Sequence, residues 1–234
     1  MAAPTWQANG SPTATAAAST RTPTLPAHAA NDILLVAAIK NDAGNLSISA
    51  GWNEVLPPEG NSNMSTGLWW KRAASGAETN PTVTSTTAAD ASNVLMADSF
   101  NVRGCITTVD PFEAAVWSGS PVSSTTPQSS SINTLGIDRL VACFSLVDSN
   151  QAHSGIPPAT WTNTEDVTTA TGGTAAIAII TKSVAAAGNV AAVTVETLTV
   201  AKFWRTLTLA FIPVGGLAVS DPPRRRGLNP LLTR

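Results

Sequence analysis

The sequence is poor in the side chains on which most enzymes and nucleic-acid-binding proteins depend. Its 234 residues include no tyrosine, two histidines, two cysteines, and only 13 Lys and Arg with 15 Asp and Glu, or 12% charged residues. Ordinary soluble proteins carry roughly 25%. The formal net charge of −2 gives no electrostatic footprint for nucleic acid, and no apolar run reaches the ~20 residues of a membrane-spanning helix. We therefore expect neither a nucleic-acid nor a membrane partner.

The catalytic and metal-binding motifs that can be recognised from spacing are also missing. There is no C-x-x-C pair, H-E-x-x-H pair, EF-hand loop, G-x-S-x-G elbow or phosphate-binding glycine loop. His28 and His153 lie in unrelated loops and are interpreted as surface residues. Cys105 and Cys143 are interpreted as buried free thiols, because two cysteines do not make a disulfide framework. We predict that the chain is not an enzyme and holds no cofactor or metal.

A hydrolase with paired carboxyl groups is a minor alternative. A glycoside hydrolase needs two carboxyl groups at a defined separation, and nothing in the sequence selects such a pair. The available acids are Glu54, Glu59, Glu165, Asp166 and Glu196. Asp32 and Asp138 each open a long apolar run and are taken as equivalent residues that bond their own backbone at a turn.

What the sequence does contain is a series of short apolar runs rich in Val, Ile, Thr and Trp, bounded by Gly, Pro, Asn and Ser. Such runs, nearly without helical periodicity, are typical of β-strands. Many short strands with no intervening helices predict an all-β, antiparallel sandwich or barrel. The predicted strands span residues 5–8, 13–19, 32–40, 52–56, 66–73, 82–86, 94–102, 115–119, 123–130, 139–147, 161–168, 175–183, 191–196 and 204–213.

Two of these strands are apolar on both faces. Residues 33–39 and 140–146 show no polar side, which predicts central strands covered on both faces by loops or by another subunit. Gly172-Gly173 is a candidate hairpin turn.

The second half of the chain resembles the first in pattern. Four segments recur with offsets that rise from 106 (Asp32 to Asp138) to 111 (Lys71 to Lys182). Such internal similarity predicts two pseudo-repeated halves, about 1–104 and 115–216, within a single β-sandwich domain of residues 1–216. The recurring segments are 31–38 with 137–144, 51–55 with 160–167, 68–71 with 179–182, and 95–102 with 206–213.

Residues 217–234 differ in kind from the rest. Two prolines stiffen an extended conformation, and adjacent arginines are followed by three leucines. We predict an extended C-terminal arm that orders on a neighbouring chain; the alternative is a disordered tail. The predicted partner-binding residues are Trp6, Arg224, Arg225, Arg226, Leu228, Leu231, Leu232 and Arg234.

Four segments carry a family resemblance: 29–37 (AANDILLVA), 50–55 (AGWNEV), 68–73 (LWWKRA) and 94–104 (VLMADSFNVRG). Together they resemble β-sandwich virion proteins of tailed bacteriophages, among which are capsid decoration (cement) proteins and tail or fibre proteins. The resemblance spans most of residues 1–216 and implies a jelly-roll-like sandwich with a structural role. It carries over no catalytic residues.

The resemblance implies a capsid decoration protein that stabilises the phage head. Its expected partners are the major capsid protein and copies of itself, with trimers expected by analogy. Because the N-terminus lacks the basic and apolar regions of a signal peptide, we expect synthesis in the host cytoplasm and a final place on the capsid surface of the virion.

The main alternative function, a receptor- or carbohydrate-binding tail module, depends on whether a tryptophan is exposed to a ligand. Adjacent Trp69 and Trp70 must point to opposite faces of a strand, so one could stack on a sugar while the other is buried. Trp52 and Trp161 recur between the halves and are interpreted as architectural.

Overall fold

The structure, a computed structural model, describes residues 2–16, 18–60, 63–87, 93–119, 123–149, 158–168 and 175–216. These residues form seventeen β-strands and no helix, so the part of the chain that is described has no helix of the length and apolarity needed to cross a membrane. All strand pairs are antiparallel. The predicted antiparallel all-β class is confirmed.

The strands in chain order are β1 (Thr5–Asn9), β2 (Thr13–Ala16), β3 (Thr20–Arg21), β4 (Ile33–Lys40), β5 (Leu46–Ile48), β6 (Asn53–Glu54), β7 (Glu59–Gly60), β8 (Ser65–Arg72), β9 (Val83–Ser85), β10 (Val94–Arg103), β11 (Phe112–Gly119), β12 (Ile132–Thr134), β13 (Arg139–Val147), β14 (Thr162–Thr168), β15 (Ala176–Val184), β16 (Gly188–Val190) and β17 (Trp204–Phe211).

Two large sheets are built from the two halves of the chain. The first has the order β1-β10-β4-β8-β6, with β2 beside β10 and β7 beside β8; the second has the order β11-β17-β13-β15-β14. When the five strands of each path are numbered within their own half, both sheets follow the order 1-5-2-4-3. The predicted pseudo-repeat would produce such a shared order, and it stays a prediction.

The two sheets face each other across one apolar core. Alternate residues of the central strands point inward, Ile33, Leu35 and Ala37 from β4 and Ala142 and Phe144 from β13, and all of them are inaccessible to solvent. Aromatic rings join the sheets, with the Phe100 and Phe144 centroids 5.6 Å apart. Burying an aliphatic or aromatic side chain of this size stabilises a fold by about 1.5–3 kcal/mol, so this core is the main source of stability.

The outer faces of the central strands are covered by the same chain. One apolar cluster joins β4, β8 and β10 to the three-stranded sheet β3-β9-β5, and another joins β13, β15 and β17 to the two-stranded sheet β12-β16. Coverage on both faces, predicted for residues 33–39 and 140–146, is therefore confirmed. It is supplied by small sheets within the chain, and not by a second subunit.

Two predicted strands do not form, and several short strands lie where no strand is predicted. Residues 123–130 and 191–196 form no strand and contribute only isolated bridges, Ser124 to Lys202 and Gln128 to Thr194. Pro127 lacks the N–H that a continuous ladder needs. The short strands β3, β5, β7, β12 and β16 were not predicted, because two or three residues show no periodicity. The candidate turn Gly172-Gly173 lies outside the described residues.

Candidate functional site

A buried carboxylate opens the central strand of the first sheet. Asp32, immediately before β4, accepts hydrogen bonds from Arg103 Nε (2.8 Å) and Nη2 (2.7 Å), from Asn101 Nδ2 (3.1 Å) and from Ala29 N (2.8 Å). Burial alone would raise the pKa of Asp32, but these hydrogen bonds together hold it below its ordinary value. The bond to Ala29 confirms that Asp32 stabilises its own turn.

The corresponding position in the second sheet holds a cation. Arg139, the first residue of β13, lies with its Nε 2.8 Å from Oε2 of Glu113, and the two side chains are 2% and 1% exposed. The contact is an ion pair without a well-aligned hydrogen bond. Arg139 Nη1 donates to Ile137 O (2.8 Å), and Glu113 Oε1 accepts from Leu135 N (3.0 Å). The two buried charges therefore compensate each other, and each side chain also bonds to a nearby backbone group.

The predicted equivalence of Asp32 and Asp138 is wrong by one residue. Asn31 and Asp138 share a left-handed backbone, with φ of 71° and 57°, so Asp32 is matched by Arg139. An offset of 106 would align the inward-facing Ile33 with the charged Arg139. It would likewise align every inward-facing residue of β4 with an outward-facing residue of β13. Matching two aspartates by identity cannot reveal this shift, because it shows only in backbone angles and strand register.

A second acidic feature lies between the two sheets. Asp98, in β10 between the inward-facing Met96 and Phe100, shares their inward direction and has no exposed surface. It accepts a hydrogen bond from Ser99 N (2.7 Å), while its Oδ2 has no partner among the described residues. Burial, assisted by the neighbouring Glu165, raises the pKa of Asp98 to about 7.

Glu165 approaches from the opposite sheet. It lies on edge strand β14 in register with the inward-facing Ile179, and burial raises its pKa above the ordinary value. Beside it, Asn9 of β1 donates from Nδ2 to Thr164 O (2.5 Å). Raised pKa values occur in catalytic acids, but Asp98 is closed off by the core and offers no surface to a solute.

Three of the other candidate acids, Glu54, Glu59 and Glu196, do not meet as an enclosed pair among the described residues. Glu54 and Glu59 both line a shallow surface groove of about 430 Å³, but Glu59 is bound to Arg205 and Glu54 is exposed. Glu196 is buried and accepts a hydrogen bond from Ser145 Oγ (2.6 Å). A general acid in glycoside hydrolysis lies with a second carboxylate in an enclosing cleft, whereas Glu54 and Glu59 are both exposed.

The tryptophans are all engaged within the chain. Trp69 and Trp70 point to opposite faces of β8 as predicted, but both are buried, at 1% and 8% exposure. Trp69 belongs to the outer cluster and Trp70 to the central core. All seven tryptophans lie in the described residues and none is exposed. The sugar-stacking platform expected for a carbohydrate-binding module is therefore not formed by Trp69 or Trp70.

Trp6, predicted as a partner contact, packs inside its own chain. Its ring lies 5.5 Å from Phe100 and 6.1 Å from Phe144 between centroids, and its Nε1 donates to Asn9 Oδ1 (2.8 Å). Trp117 of β11 similarly packs on the central core and donates from Nε1 to Pro57 O (3.2 Å). Both residues connect an outer strand to the opposite sheet.

The remaining predicted partner-binding residues belong to the C-terminal segment. Arg224, Arg225, Arg226, Leu228, Leu231, Leu232 and Arg234 lie outside the described residues, as does His153. Within the described ranges, no group of three or more His, Cys, Asp or Glu side chains is arranged to hold a metal ion. His28 is half-buried, with Nδ1 2.7 Å from Pro26 O and Nε2 accepting from Glu78 N (3.2 Å), so it has a structural role.

Cys105 and Cys143 are buried free thiols, as predicted. Burial raises the pKa of each to about 12, and the thiolate is the reactive form. In the native protein at pH 8, we expect both to react with a disulfide reagent at least about a hundredfold more slowly than free cysteine. Unfolding in denaturant should release two reactive thiols per chain. A thiol that reacts at the free rate in the native state would contradict this burial.

Comparison of the chain with protein-family models, with curated proteins and with solved structures gives no match. The resemblance to phage virion proteins therefore stays a prediction, and a function has to be inferred from the fold and the distribution of its charges.

Proposed function

We propose that this chain is a structural protein of a phage virion, a capsid decoration protein that acts by contact with the major capsid protein and with copies of itself. The observation that carries the proposal is the way in which the sandwich uses its charges. All nine Lys and Arg of residues 1–216 lie in the described ranges, and at least five of them are held in ion pairs within the chain: Lys40, Lys71, Arg103, Arg139 and Arg205.

The surface that remains is low in charge. Exposed positions are mainly Ser, Thr, Ala and Asn, with a few exposed valines and other aliphatic side chains. Interface cores are depleted in charge relative to free protein surface. A sandwich of this kind can lose water from its surface at a lower electrostatic cost than a highly charged one.

The C-terminal segment has a charge that complements the sandwich. Nine Lys and Arg against fourteen Asp and Glu give residues 1–216 a formal charge of −5, whereas four arginines against Asp221 give residues 217–234 a charge of +3. Opposite charges favour encounter and register between partners. This partition supports an arm that attaches to a neighbouring subunit, with the leucines adding apolar contact.

The proposed mechanism is stabilisation by binding to the assembled shell. A protein that binds only the assembled state lowers its free energy by mass action. A rigid sandwich across capsomer junctions, clamped by its arm, would resist separation of the capsomers. Cryo-electron microscopy of the virions made by the phage that encodes this chain is expected to show it on the outer surface of the head. A position inside the head, or its absence from the particle, would overturn the proposal.

Removing the arm tests its role. A chain ending at Gly216 should keep the free energy of unfolding of the full chain to within about 1 kcal/mol, since the described core ends at Ile212. The same truncated chain should bind particles stripped of the protein at least about tenfold more weakly than the full chain does. Occupancy would be measured by quantitative gel analysis of purified particles.

Two matched variants of the full chain separate the contributions of the arm. One changes all four C-terminal arginines to glutamine, and the other changes Leu228, Leu231 and Leu232 to serine. The arginine variant should lose affinity chiefly at low salt, because exposed charges are screened as salt rises. Full occupancy by the truncated chain would show that the arm is not needed.

A further inference from the structure

The free edges of the two large sheets differ in how well they are protected against pairing with another strand. A sheet edge presents unpaired N–H and C=O groups that can pair with another chain, and proteins usually block such edges with bulges, charges, prolines or very short strands. The described parts of the two sheets have four such edges, formed by β1 with β2, by β6 with β7, by β14 and by β11.

Three of these edges are interrupted. The first is divided between β1 and β2, and β1 has a register shift between Trp6 and Ala8. The second consists of two strands of two residues each, separated by residues that include Pro57 and Pro58. Edge strand β14 has a register shift after Asn163 and carries adjacent acids. Each edge therefore has at least one feature that opposes pairing.

The β11 edge lacks these protections over most of its length. Its register shift is confined to the beginning, between Phe112 and Ala114, and the following residues to Gly119 pair continuously with β17. Residues 114–119 contain no charge and no proline. Val116, at the centre, is 38% exposed, and no described strand pairs with the outer edge of β11.

We propose that β11 pairs in antiparallel fashion with β11 of a second copy of this chain, about a twofold axis at Val116. In this register Val116 faces its own counterpart, and Ala115 faces Trp117 of the second copy. The inward-facing indole thus meets a small inward-facing side chain, which extends the central core across the pair.

The same register avoids repulsion between charges. It places Glu113, the one charged residue of β11, opposite Gly119 of the second copy, and Glu113 is already paired with Arg139. A register centred on Trp117 would oppose two indoles, and one centred on Ala115 would place Trp117 opposite Glu113. Because the contact uses the same patch on both copies, it closes as a dimer and does not grow further.

This inference rests on the proposed function, in which copies of the chain contact one another, and it identifies β11 as the surface of that contact. It is tested on the full chain free in solution by sedimentation equilibrium. The wild-type chain is expected to dimerise. Val116→Lys, which places like charges opposite each other at the axis, should raise the dissociation constant at least about tenfold. Val214→Lys is the matched control, because Val214 is an exposed valine whose N–H donates to Gly104 O, just after β10, and not to β11; it should behave as the wild type.

A cysteine variant provides a second measurement. Across an antiparallel pair the Cα atoms are about 4.5–5.5 Å apart, which lies within the range that a disulfide spans. Val116→Cys should therefore form a covalent dimer on mild oxidation, whereas Val214→Cys should not; Cys105 and Cys143 are buried and do not compete.

Two results would overturn the pairing. One is a wild-type chain that stays monomeric at millimolar concentration together with no preferential cross-link in Val116→Cys. The other is an oligomer, a trimer included, that Val116→Lys leaves unchanged. If either occurs while truncation of the arm still reduces particle occupancy, the proposed function stands and the β11 pairing alone fails. A monomeric Val116→Lys chain that binds particles normally would instead leave the pairing intact and remove self-contact from the function.

Discussion

Replacing Asp98 with asparagine should stabilise the protein at pH 8 and leave it nearly unchanged at pH 4. The pKa of Asp98 is raised from 3.8 to about 7 in the folded state. A carboxyl with a raised folded pKa binds its proton more tightly when folded, so its contribution to stability is present at low pH and is lost as pH rises from about 4 to about 7. The shift corresponds to a maximum of about 4 kcal/mol, and asparagine removes the titration.

The measurement is the free energy of unfolding from urea titrations between pH 4 and pH 8. Glu54→Gln is the control, since it makes the same kind of change at an exposed carboxyl outside the core. Glu165→Gln should reduce the pH dependence in part, because Glu165 contributes to the raised pKa of Asp98. If Asp98→Asn shows the same loss of stability with rising pH as the wild type, Asp98 does not titrate in the way its burial requires.

Replacing Arg139 with methionine should reduce the free energy of unfolding by about 3–5 kcal/mol, because it leaves the buried Glu113 carboxylate without its cation. The double variant Arg139→Met with Glu113→Leu should recover most of that loss, since two apolar side chains can replace a buried ion pair at little cost. Guanidinium titrations of the two variants and the wild type measure both effects.

Arg103→Met is the matched comparison for this pair. Arg103 also pairs with a buried carboxylate, but its side chain is 50% exposed, and Asp32 would keep its hydrogen bonds from Asn101 and Ala29. We therefore expect a smaller loss than for Arg139→Met. A double variant at Arg139 and Glu113 that is no more stable than the single variant would show that the charge of Glu113 is not the source of the effect.

The longest apolar runs could be predicted almost residue by residue. Residues 139–147 were predicted as a strand and are β13, and residues 94–102 differ from β10 by one residue. Two-sided burial requires a continuous run of apolar residues, so the pattern alone locates such strands. The three-residue strands β5, β12 and β16 are fixed by the sheets they cover, and no local pattern marks them.

The buried charges were only partly visible in the sequence. Asp98 is a single acid inside the run VLMADSF, at a position that alternation assigns to the core face, and that signal could have identified it. Its neighbour Glu165 could not have been found in this way, because the pair is formed between strands from opposite halves of the chain. Arg139 and Glu113 are likewise joined only by the fold.

The small sheets over both outer faces have a geometric consequence. Each broad face of the sandwich is covered by a small sheet of its own chain, and Ser47 is exposed on one of these sheets. The outer edge of β11 lies at the side of the second large sheet, so a neighbour paired there does not need either broad face. Two copies joined through their β11 edges would lengthen the second sheet sideways. The pair would be no thicker than one molecule and could lie flat on a support.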